Sequence, residues 1–163
     1  MKSFLFLFGF LVTMLTYTGC KDVDPDDFRD LSVVTLIDAG AKHTIFVKSN
    51  NTLWVTGSNT EGQLGGVSPT AAAMHMPVKA MDSVRTAATG HYHTLVIKTD
   101  NTLWTTGLNN KGQLGTGDLT NRSVPVKVMD SVLQAAGGSD FSLIIKQDNS
   151  LWGVGNNEYG QLG

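Results

Sequence analysis

The sequence predicts an all-β fold built from repeated units of about four antiparallel strands each. A segment of 23 residues occurs three times, beginning at His43, His93 and Phe141, with offsets of 50 and 48 residues. In the first copy, His43, Ile45 and Val47 alternate with Thr44, Phe46 and Lys48, which is the period of two of a β-strand. The chain contains 18 glycines, and abundant glycine is typical of a fold with many turns.

The composition excludes several classes of function. The formal net charge of −2 argues against a nucleic-acid-binding protein that works through a basic face. The single cysteine, Cys20, excludes an internal disulfide framework and a cysteine-rich zinc site. With 41% hydrophobic residues, the chain has the apolar content of a folded protein.

Residues 1–19 are predicted to be a lipoprotein signal peptide. Lys2 precedes an apolar run from Phe4 to Leu15, which is shorter than the roughly 20 residues that a membrane-spanning helix needs. Small residues stand directly before Cys20. This arrangement resembles the lipobox of bacterial lipoproteins, although Tyr17 replaces the usual leucine. The resemblance implies that Cys20 is lipidated; the alternative is a secretory signal followed by an unmodified cysteine.

Residues 20–32 are predicted to be the lipidated cysteine and a flexible acidic tether. Five of the ten residues from 21 to 30 are aspartates, which leaves too little apolar surface for folding. Acidic residues after a lipidated cysteine resemble the surface-export signals of some outer-membrane lipoproteins. We therefore expect an outer-membrane lipoprotein of the bacterial cell envelope, held to the membrane by its N-terminal lipid and exposed at the surface.

The first repeat shows why each unit is predicted to contain a hairpin. Residues His43–Lys48 have the period of two of a strand, and a short polar link leads from them to a second run at Leu53–Thr56. Asn51 lies in this link, and asparagine tolerates the left-handed backbone that a tight turn requires. Gly57 ends the second strand.

Two further short strands are predicted at Val78–Met81 and Val84–Ala88, and no segment beyond the signal peptide has a helical period. About four strands within a period of roughly 50 residues are typical of a propeller blade, which buries its faces only against neighbouring blades. Residues 33–163 are therefore predicted to form a partial β-propeller.

Three recurring motifs indicate the type of blade. They are Gly-x-x-His-Thr at Gly40 and Gly90, Leu-Trp-x-x-Gly at Leu53, Leu103 and Leu151, and Asn-x-x-Gly-Gln-Leu-Gly ending at Gly65, Gly115 and Gly163. These motifs closely resemble the regulator of chromosome condensation repeat, and the resemblance covers residues 33–163. It implies a seven-bladed β-propeller that binds other proteins through its loops.

Three kinds of residue recur in register, and we expect them to build the blades rather than to bind a ligand. The tryptophans are predicted to pack in the core, and the glutamines to hydrogen-bond loop backbone. The recurring residues are the glycines Gly40, Gly90 and Gly138, the tryptophans Trp54, Trp104 and Trp152, and the glutamines Gln63, Gln113 and Gln161.

The motifs of the sequence predict no catalytic residue, no metal site and no cofactor, so we expect a protein that is not an enzyme. His91 and His93 have a spacing that metals can use. However, Phe141 takes the place of His93 in the third repeat, which favours packing over metal binding. No Gly-x-Ser-x-Gly nucleophile elbow occurs, and Gly153-Val154-Gly155 lacks the third glycine of a dinucleotide-binding loop.

Six of the residues that vary between the repeats inside the fixed motifs are candidates for recognition, because loops on a rigid scaffold commonly carry recognition. They occupy two slots, a slot being a position that equivalent residues share in successive repeats. The candidate partner-binding residues are Lys42, Tyr92 and Asp140 in one slot, and Glu61, Lys111 and Tyr159 in the other. The alternative is ordinary variation at solvent-exposed positions.

Three functions remain open from the sequence. The first is a non-catalytic module that binds or scaffolds proteins on a lipid-anchored, extracytoplasmic bacterial protein. The second, implied by the family resemblance, is guanine-nucleotide exchange on a small GTPase, although no residue here matches that family's exchange-active element. The third is a carbohydrate-binding propeller, which would need one aromatic pocket per repeat, whereas Tyr92 and Tyr159 are irregularly spaced.

The chain is short for the predicted fold. Residues 31–163 hold about 2.7 repeats of 48–50 residues, whereas propellers typically close with about four to eight blades. We expect either the front portion of a longer propeller or a chain that closes by self-association.

Overall fold

The computed structural model describes residues 32–68 and 70–163, and within these residues the chain forms strands, turns and loops. The predicted signal peptide, Cys20 and nearly all of the predicted tether lie outside the described residues. No helix among the described residues combines the length and the apolar character needed to cross a bilayer. The strands are β1 Val34–Ala39, β2 His43–Lys48, β3 Leu53–Ser58, β4 Ala73–Met81, β5 Val84–Thr89, β6 His93–Lys98, β7 Leu103–Gly107, β8 Arg122–Met129, β9 Val132–Gly137, β10 Phe141–Lys146 and β11 Leu151–Gly155.

The strands form three antiparallel sheets, which confirms the predicted all-β fold of blade-like units. Blade 1 has the order β1-β2-β3-β4, blade 2 has the order β5-β6-β7-β8, and blade 3 contains β9, β10 and β11 with β10 in the middle. Within each blade, strands that are adjacent in the sequence pair with each other, so short links suffice to connect them. The three sheets correspond to an incomplete propeller of about 2.7 repeats, as the repeat length predicts.

The turn between the second and third strands of each blade depends on asparagine. Asn51, Asn101 and Asn149 have φ angles of 61°, 63° and 65°. These values lie in the left-handed region, where asparagine is strained less than most residues with a side chain. In the second blade, Asp100 Oδ1 also accepts hydrogen bonds from Thr102 N at 3.0 Å and from Thr102 Oγ1 at 2.6 Å. The local sequence therefore determines the turn.

The apolar cores lie between the blades rather than within a sheet. The first core combines Ile45 and Leu53 of blade 1 with Val84 and Val96 of blade 2, and each of these residues is at most 2% exposed. The second core combines Leu95, Ile97 and Leu103 of blade 2 with Val132 and Ile144 of blade 3. Burial of one such side chain contributes roughly 1.5–3 kcal/mol. Neighbouring blades therefore stabilise each other.

The two cores use the same two sides of a blade. The earlier blade contributes residues from the side that faces the next blade, which we call its trailing side. The later blade contributes residues from the opposite side, its leading side. Leu53 in blade 1 and Leu103 in blade 2 are trailing-side residues, whereas Val84 in blade 2 and Val132 in blade 3 are leading-side residues.

Candidate protein-interaction face

The strand order brings two sets of connections to the same end of the blades. In each blade, the link between the first two strands lies beside the segment that follows the third strand. The links are β1–β2, β5–β6 and β9–β10, and the segments are the β3–β4 loop, the β7–β8 loop and the residues after β11. Backbone hydrogen bonds join them: Ser58 N to Lys42 O at 2.7 Å, Leu108 N to Tyr92 O at 2.9 Å, and Asn156 N to Asp140 O at 2.8 Å. We call this end the loop face and the opposite end, which carries the asparagine turns, the hairpin face.

All six candidate partner-binding residues lie on the loop face. The first slot is in the links, which follow the first strand of each blade; these strands, β1, β5 and β9, contact one another in succession and are the inner strands. The second slot is in the segments that follow β3, β7 and β11, which we call the outer loops. Lys42 and Lys111 are exposed, Tyr159 is 86% exposed, and the other three are partly exposed. The structure therefore gathers at one end residues that are 50 or so positions apart in the sequence.

The links on the loop face hold one another in place. Ala41 N donates a hydrogen bond to His91 O at 3.0 Å, and His91 N donates one to Gly138 O at 3.2 Å. A Cβ atom on Gly90 would overlap the ring of His93 and would lie 2.6 Å from Gly138 O. Because a side chain at Gly90 is excluded, successive links lie directly against each other and present their slot residues in a fixed row.

The outer loops are closed by the glutamine and asparagine of the repeated motif. Gln63 is 0% exposed, and its Oε1 accepts a hydrogen bond from Glu61 N at 2.9 Å. Leu64 N donates a hydrogen bond to Asn59 Oδ1 at 3.0 Å. The glutamine contact recurs at 2.9 Å between Lys111 N and Gln113 Oε1, and between Tyr159 N and Gln161 Oε1. The glutamine side chain therefore holds the loop by the backbone N–H of Glu61, Lys111 or Tyr159, whose own side chains differ between the repeats.

The loop face has mixed charge. Each slot contains one cation, one anion and one tyrosine across the three blades. Lys42 in blade 1 and Asp140 in blade 3 are the charged residues of the links, and Glu61 Oε2 in an outer loop accepts a hydrogen bond from Asn121 Nδ2 at 2.9 Å. Alternating charge of this kind suits a protein surface of complementary charge better than a polyanion.

An aromatic pair lies in the middle of the row of links. The ring centroids of His91 and Tyr92 are 4.7 Å apart, with a tilt of 42° between the planes. Ser139 Oγ lies 3.5 Å from His91 Nδ1, which is longer than the hydrogen bond that activates a serine nucleophile. The geometry therefore gives this pair a contact surface rather than a nucleophile.

Below the loop face, polar contacts join successive blades. Thr94 Oγ1 donates its hydrogen to Gln63 O at 2.8 Å and lies 3.0 Å from His43 Nε2. Since the hydroxyl hydrogen is already used, His43 Nε2–H is the donor to Thr94 Oγ1. Ser142 Oγ makes the same two contacts one blade later, with Gln113 O at 2.8 Å and His93 Nε2 at 2.9 Å.

Both buried imidazoles are neutral at neutral pH. Burial lowers the pKa of His43 to about 4, and Asp38 opposes this effect only in part. Burial and the neighbouring His43 lower the pKa of His93 to about 4. The repeat motifs alone do not reveal this contact between blades, although the sequence carries a signal for it. Thr44, Thr94 and Ser142 place a hydroxyl directly after the slot of His43, His93 and Phe141, which we call the aromatic slot.

A family model of the Regulator of chromosome condensation (RCC1) repeat matches residues 34–63, 84–113 and 132–161, which together are more than half of the chain. The chain belongs to the regulator of chromosome condensation repeat family. A second model of this repeat matches residues 100–145. Each of the three segments runs from an inner strand into the Gln-Leu turn on the loop face. A comparison with curated protein sequences gives no match.

Several solved structures resemble the chain in fold. Human WBSCR16 has a TM-score of 0.70 and 26% identity, over 78% of this chain and 35% of that one. Yeast RCC1 (Prp20), solved bound to Kap60, has a TM-score of 0.70 and 24% identity, over 82% of this chain and 32% of that one. Prp20p from Saccharomyces cerevisiae, described with its binding to Gsp1p and histones, has a TM-score of 0.69 and 22% identity, over 82% of this chain and 33% of that one. The chain spans about a third of the length of these proteins.

The tryptophans of the regulator of chromosome condensation repeat lie towards the hairpin face. Trp104 packs at the edge of the first core, its Nε1 donates a hydrogen bond to Thr102 Oγ1 at 2.9 Å, and Lys98 Nζ lies 4.3 Å from its ring centroid. Trp152 makes the equivalent hydrogen bond but is 50% exposed. Trp104 therefore supports the turn as well as the core, because the indole N–H needs a partner.

Among the described residues, the enclosed cavities at the two junctions between blades are small, whereas hollows of about 370 and 440 Å³ at the loop face are open to solvent. The most enclosed cavity between blades 2 and 3 has a volume of about 30 Å³ and is lined mainly by apolar residues such as Leu95, Leu103 and Leu114. Ligand pockets typically have several hundred cubic ångströms. In residues 32–68 and 70–163, no three or more His, Cys, Asp or Glu side chains come close enough to hold a metal ion.

Proposed function

We propose that the chain is a non-catalytic binding module that holds a protein partner on its loop face. One observation carries this proposal: the repeats keep the residues that fix the loop backbone, and the six candidate residues, which differ between the repeats, all lie at one end. A rigid scaffold with variable loops is the usual arrangement for recognition. The mixed charge and the exposed tyrosines suit a protein surface.

The proposed setting is the bacterial cell envelope. This part of the proposal rests on the sequence of residues 1–32, with its apolar leader, Cys20 and acidic tether. A lipid on Cys20 would hold the blades near a membrane, with the tether between them. The partner would then be a secreted enzyme or an envelope component that the module scaffolds or inhibits.

A pair of variants tests the use of the loop face. The loop-face variant combines Lys42→Glu, Tyr92→Ala, Lys111→Glu and Tyr159→Ala, and the matched hairpin-face variant combines Thr99→Ala and Gln147→Ala. Both are photo-cross-linked in an envelope fraction, and the cross-linked species are compared by mass spectrometry. We expect a defined partner to be lost from the loop-face variant and retained by the hairpin-face variant. Equal cross-linking of both variants would contradict the proposal.

A nucleotide-exchange assay tests the competing function. The chain covers only about a third of the length of each of the solved relatives, so the activity of a relative is not transferred to it. We expect the chain to leave nucleotide release from small GTPases unchanged. A substoichiometric amount that accelerated release would make it an exchange factor and overturn the non-catalytic proposal.

The proposed anchor is tested separately by Cys20→Ser. Loss of the acylated cysteine should move the protein from the detergent phase to the aqueous phase on Triton X-114 separation, because a lipid is the only proposed membrane attachment. Retention of Cys20→Ser in the detergent phase would show that the lipobox interpretation is wrong, while leaving the loop-face proposal intact.

A further inference from the structure

The loop end of each junction between blades is polar. His43 and His93 are the first residues of β2 and β6, and their Nε2 atoms lie 3.0 Å from Thr94 Oγ1 and 2.9 Å from Ser142 Oγ of the next blade. The apolar core residues of the same two strands begin two positions later, nearer the hairpin face. The links at the loop end can therefore move while the apolar cores stay closed.

The link of the same blade covers the second nitrogen of each ring. His43 is 3% exposed and His93 is 0% exposed, and among the described residues neither Nδ1 atom has a hydrogen-bond partner. A Cβ on Gly40 would lie 2.6 Å from His43 Nδ1, and a Cβ on Gly90 would lie 2.5 Å from His93 Nδ1. Because the glycine lies directly against Nδ1, a proton reaches this atom only when the link moves away.

The closed link accommodates the neutral imidazole but not the imidazolium. Since Nε2–H donates to the hydroxyl of the next blade, Nδ1 of the neutral ring is an acceptor and carries no hydrogen. Protonation places a charged donor at a buried position without an acceptor, which costs more free energy than a buried acceptor without a donor. When the link lifts, water supplies the acceptor. Protonation therefore stabilises the lifted link relative to the closed one.

The charged groups that act on the two rings are one carboxylate and the other imidazole. Burial lowers the pKa of His43 to about 4, and Asp38 of β1 opposes this effect; both Asp38 oxygens already accept a backbone hydrogen bond. Burial and, to a lesser extent, His43 lower the pKa of His93 to about 4. Ala88 has the slot of Asp38 beside His93, and blade 3 presents Ser142 to it. The other titratable residues of the links are exposed or partly exposed, and they are Lys42, His91, Tyr92 and Asp140.

We propose that the links of blades 1 and 2 are an acid-sensitive device, in which protonation of His43 or His93 lifts the glycine link off the ring and breaks the row of links. Lifting breaks the hydrogen bond that closes the link, from Gly40 N to His43 O or from Gly90 N to His93 O, both 2.9 Å. It also breaks the hydrogen bond from Ala41 N to the next link at 3.0 Å, or its counterpart one blade later. The apolar cores keep the blades together.

The third blade contains an internal control. Phe141 lies under Gly138 in the same way, since a Cβ on Gly138 would overlap its ring, and Gly138 N donates to Phe141 O at 2.8 Å. A phenyl ring cannot be protonated, so this link does not respond to acid.

The lifted links have a consequence for the loop face. Lys42 and Tyr92 belong to the links of blades 1 and 2, so they leave the row when these links lift, and acid releases the partner that the row holds. This consequence rests on the proposed function, whereas the lifting of the links does not.

Amide exchange measured by NMR in the whole chain tests the proposal, with the glycine N–H of each link as the probe. The imidazole has a pKa of 6.5 in water and about 4 under the closed link. The lifted population is therefore constant above pH 6.5 and grows as the pH falls from 6.5 towards 4. After correction for the intrinsic exchange rate, we expect the protection of Gly40 and Gly90 to fall by up to about tenfold per pH unit. Gly138 should not respond, and the amides in the middle of β2 and β6 should remain more protected than the links at every pH.

Three variants separate the buried histidines from the rest of the row. His43→Phe and His93→Phe copy the residue of the third blade. We expect each to abolish the pH dependence of the glycine amide in its own link and to retain that of the other link. His91→Gln removes an exposed imidazole from the same row and should leave both pH dependences unchanged.

Three results would overturn the inference: a Gly90 amide that responds to pH no more than Gly138, a phenylalanine variant that keeps the response in its own link, or link amides that are protected as strongly as the strand amides. The last result would mean that the links open only when the whole chain unfolds. None of these measurements uses a partner. The absence of a loop-face partner in the cross-linking experiment would therefore leave the acid response intact, and a missing acid response would leave the loop face intact as a binding surface.

Discussion

The aromatic slot at the start of the second strand accepts two kinds of ring. His43, His93 and Phe141 occupy it, and in each blade the ring lies against the glycine three residues earlier, where a Cβ would overlap it. A ring of this size is therefore what the backbone requires. The imidazole adds a hydrogen bond to the next blade, which phenylalanine does not provide. Packing and the contact between blades are thus separable properties of one residue.

The buried imidazoles make stability depend on pH. The pKa of His93 is about 4 in the folded chain and 6.5 in the absence of burial, so the unfolded chain binds more protons between these values. The free energy of unfolding is unaffected above pH 6.5 and falls as the pH is lowered from 6.5 towards 4. For one histidine, a pKa shift of this size lowers the free energy of unfolding by at most about 3 kcal/mol between pH 6.5 and pH 4.

Replacing His93→Phe copies the residue of the third blade. We expect this variant to lose about 1 kcal/mol at neutral pH, because a buried hydrogen bond is lost, and to lose less stability than the unchanged chain on acidification. Urea unfolding above pH 6.5 and within the window from 6.5 to 4 measures both effects. His75→Phe, at an exposed position, is the control and should leave the pH dependence unchanged. Equal pH dependence of His93→Phe and the unchanged chain would contradict the prediction.

The turn between the second and third strands combines three local interactions. In blade 2 the φ of Asn101 is 63°, Asp100 accepts two hydrogen bonds from Thr102, and Thr102 Oγ1 accepts one from Trp104 Nε1. These hydrogen bonds lower the pKa of the Asp100 carboxyl. Every residue involved lies within five positions of the sequence, so the turn can form independently of the other blades.

A pair of substitutions at Asn101 tests the strain in this turn. Asn101→Ala should lower the free energy of unfolding by about 1 kcal/mol, because alanine is disfavoured in the left-handed region. Asn101→Gly should change it much less, since glycine has no Cβ. Chemical unfolding of both variants measures the difference. Equal destabilisation by alanine and glycine would show that the asparagine side chain, rather than the backbone angle, is what matters.

The strands and turns could be predicted from sequence because their causes are local. The period of two, the asparagine in the turn and the closing glycine all lie within one hairpin, and the repetition shows each of them three times. The position of Trp152 could not be predicted in the same way, since it is 50% exposed while Trp104 packs against a core. Its exposure depends on the surroundings of the blade, which the repeat alone does not specify.

At the scale of the whole molecule, the cores and polar contacts of residues 32–68 and 70–163 join adjacent blades. In a repeat architecture of this kind the stability is approximately a sum over blades and over the junctions between them. Within the described residues, blade 2 therefore links the packing of blade 1 to that of blade 3.

The loop face could be located in part from the sequence. The repeat comparison separates fixed from variable residues, and this is sufficient to select Lys42, Tyr92 and their counterparts. It does not show that the links and the outer loops share one end, because that depends on the antiparallel order of the strands. It also does not show the contact from Thr94 to Gln63, which joins residues 31 positions apart. Such contacts between blades require the three-dimensional arrangement.

The middle blade has a neighbour on both sides, and this has a consequence for amide exchange. Opening blade 2 breaks two junctions, whereas opening blade 1 or blade 3 breaks one. Deuterium uptake should therefore be slower in β6 and β7 than in β2 and β3 or in β10 and β11. Mass spectrometry of peptic fragments measures this order, and uniform uptake would contradict it. The exchange rates would then depend on how many neighbouring blades each blade has, although the three blades share the same sequence motifs.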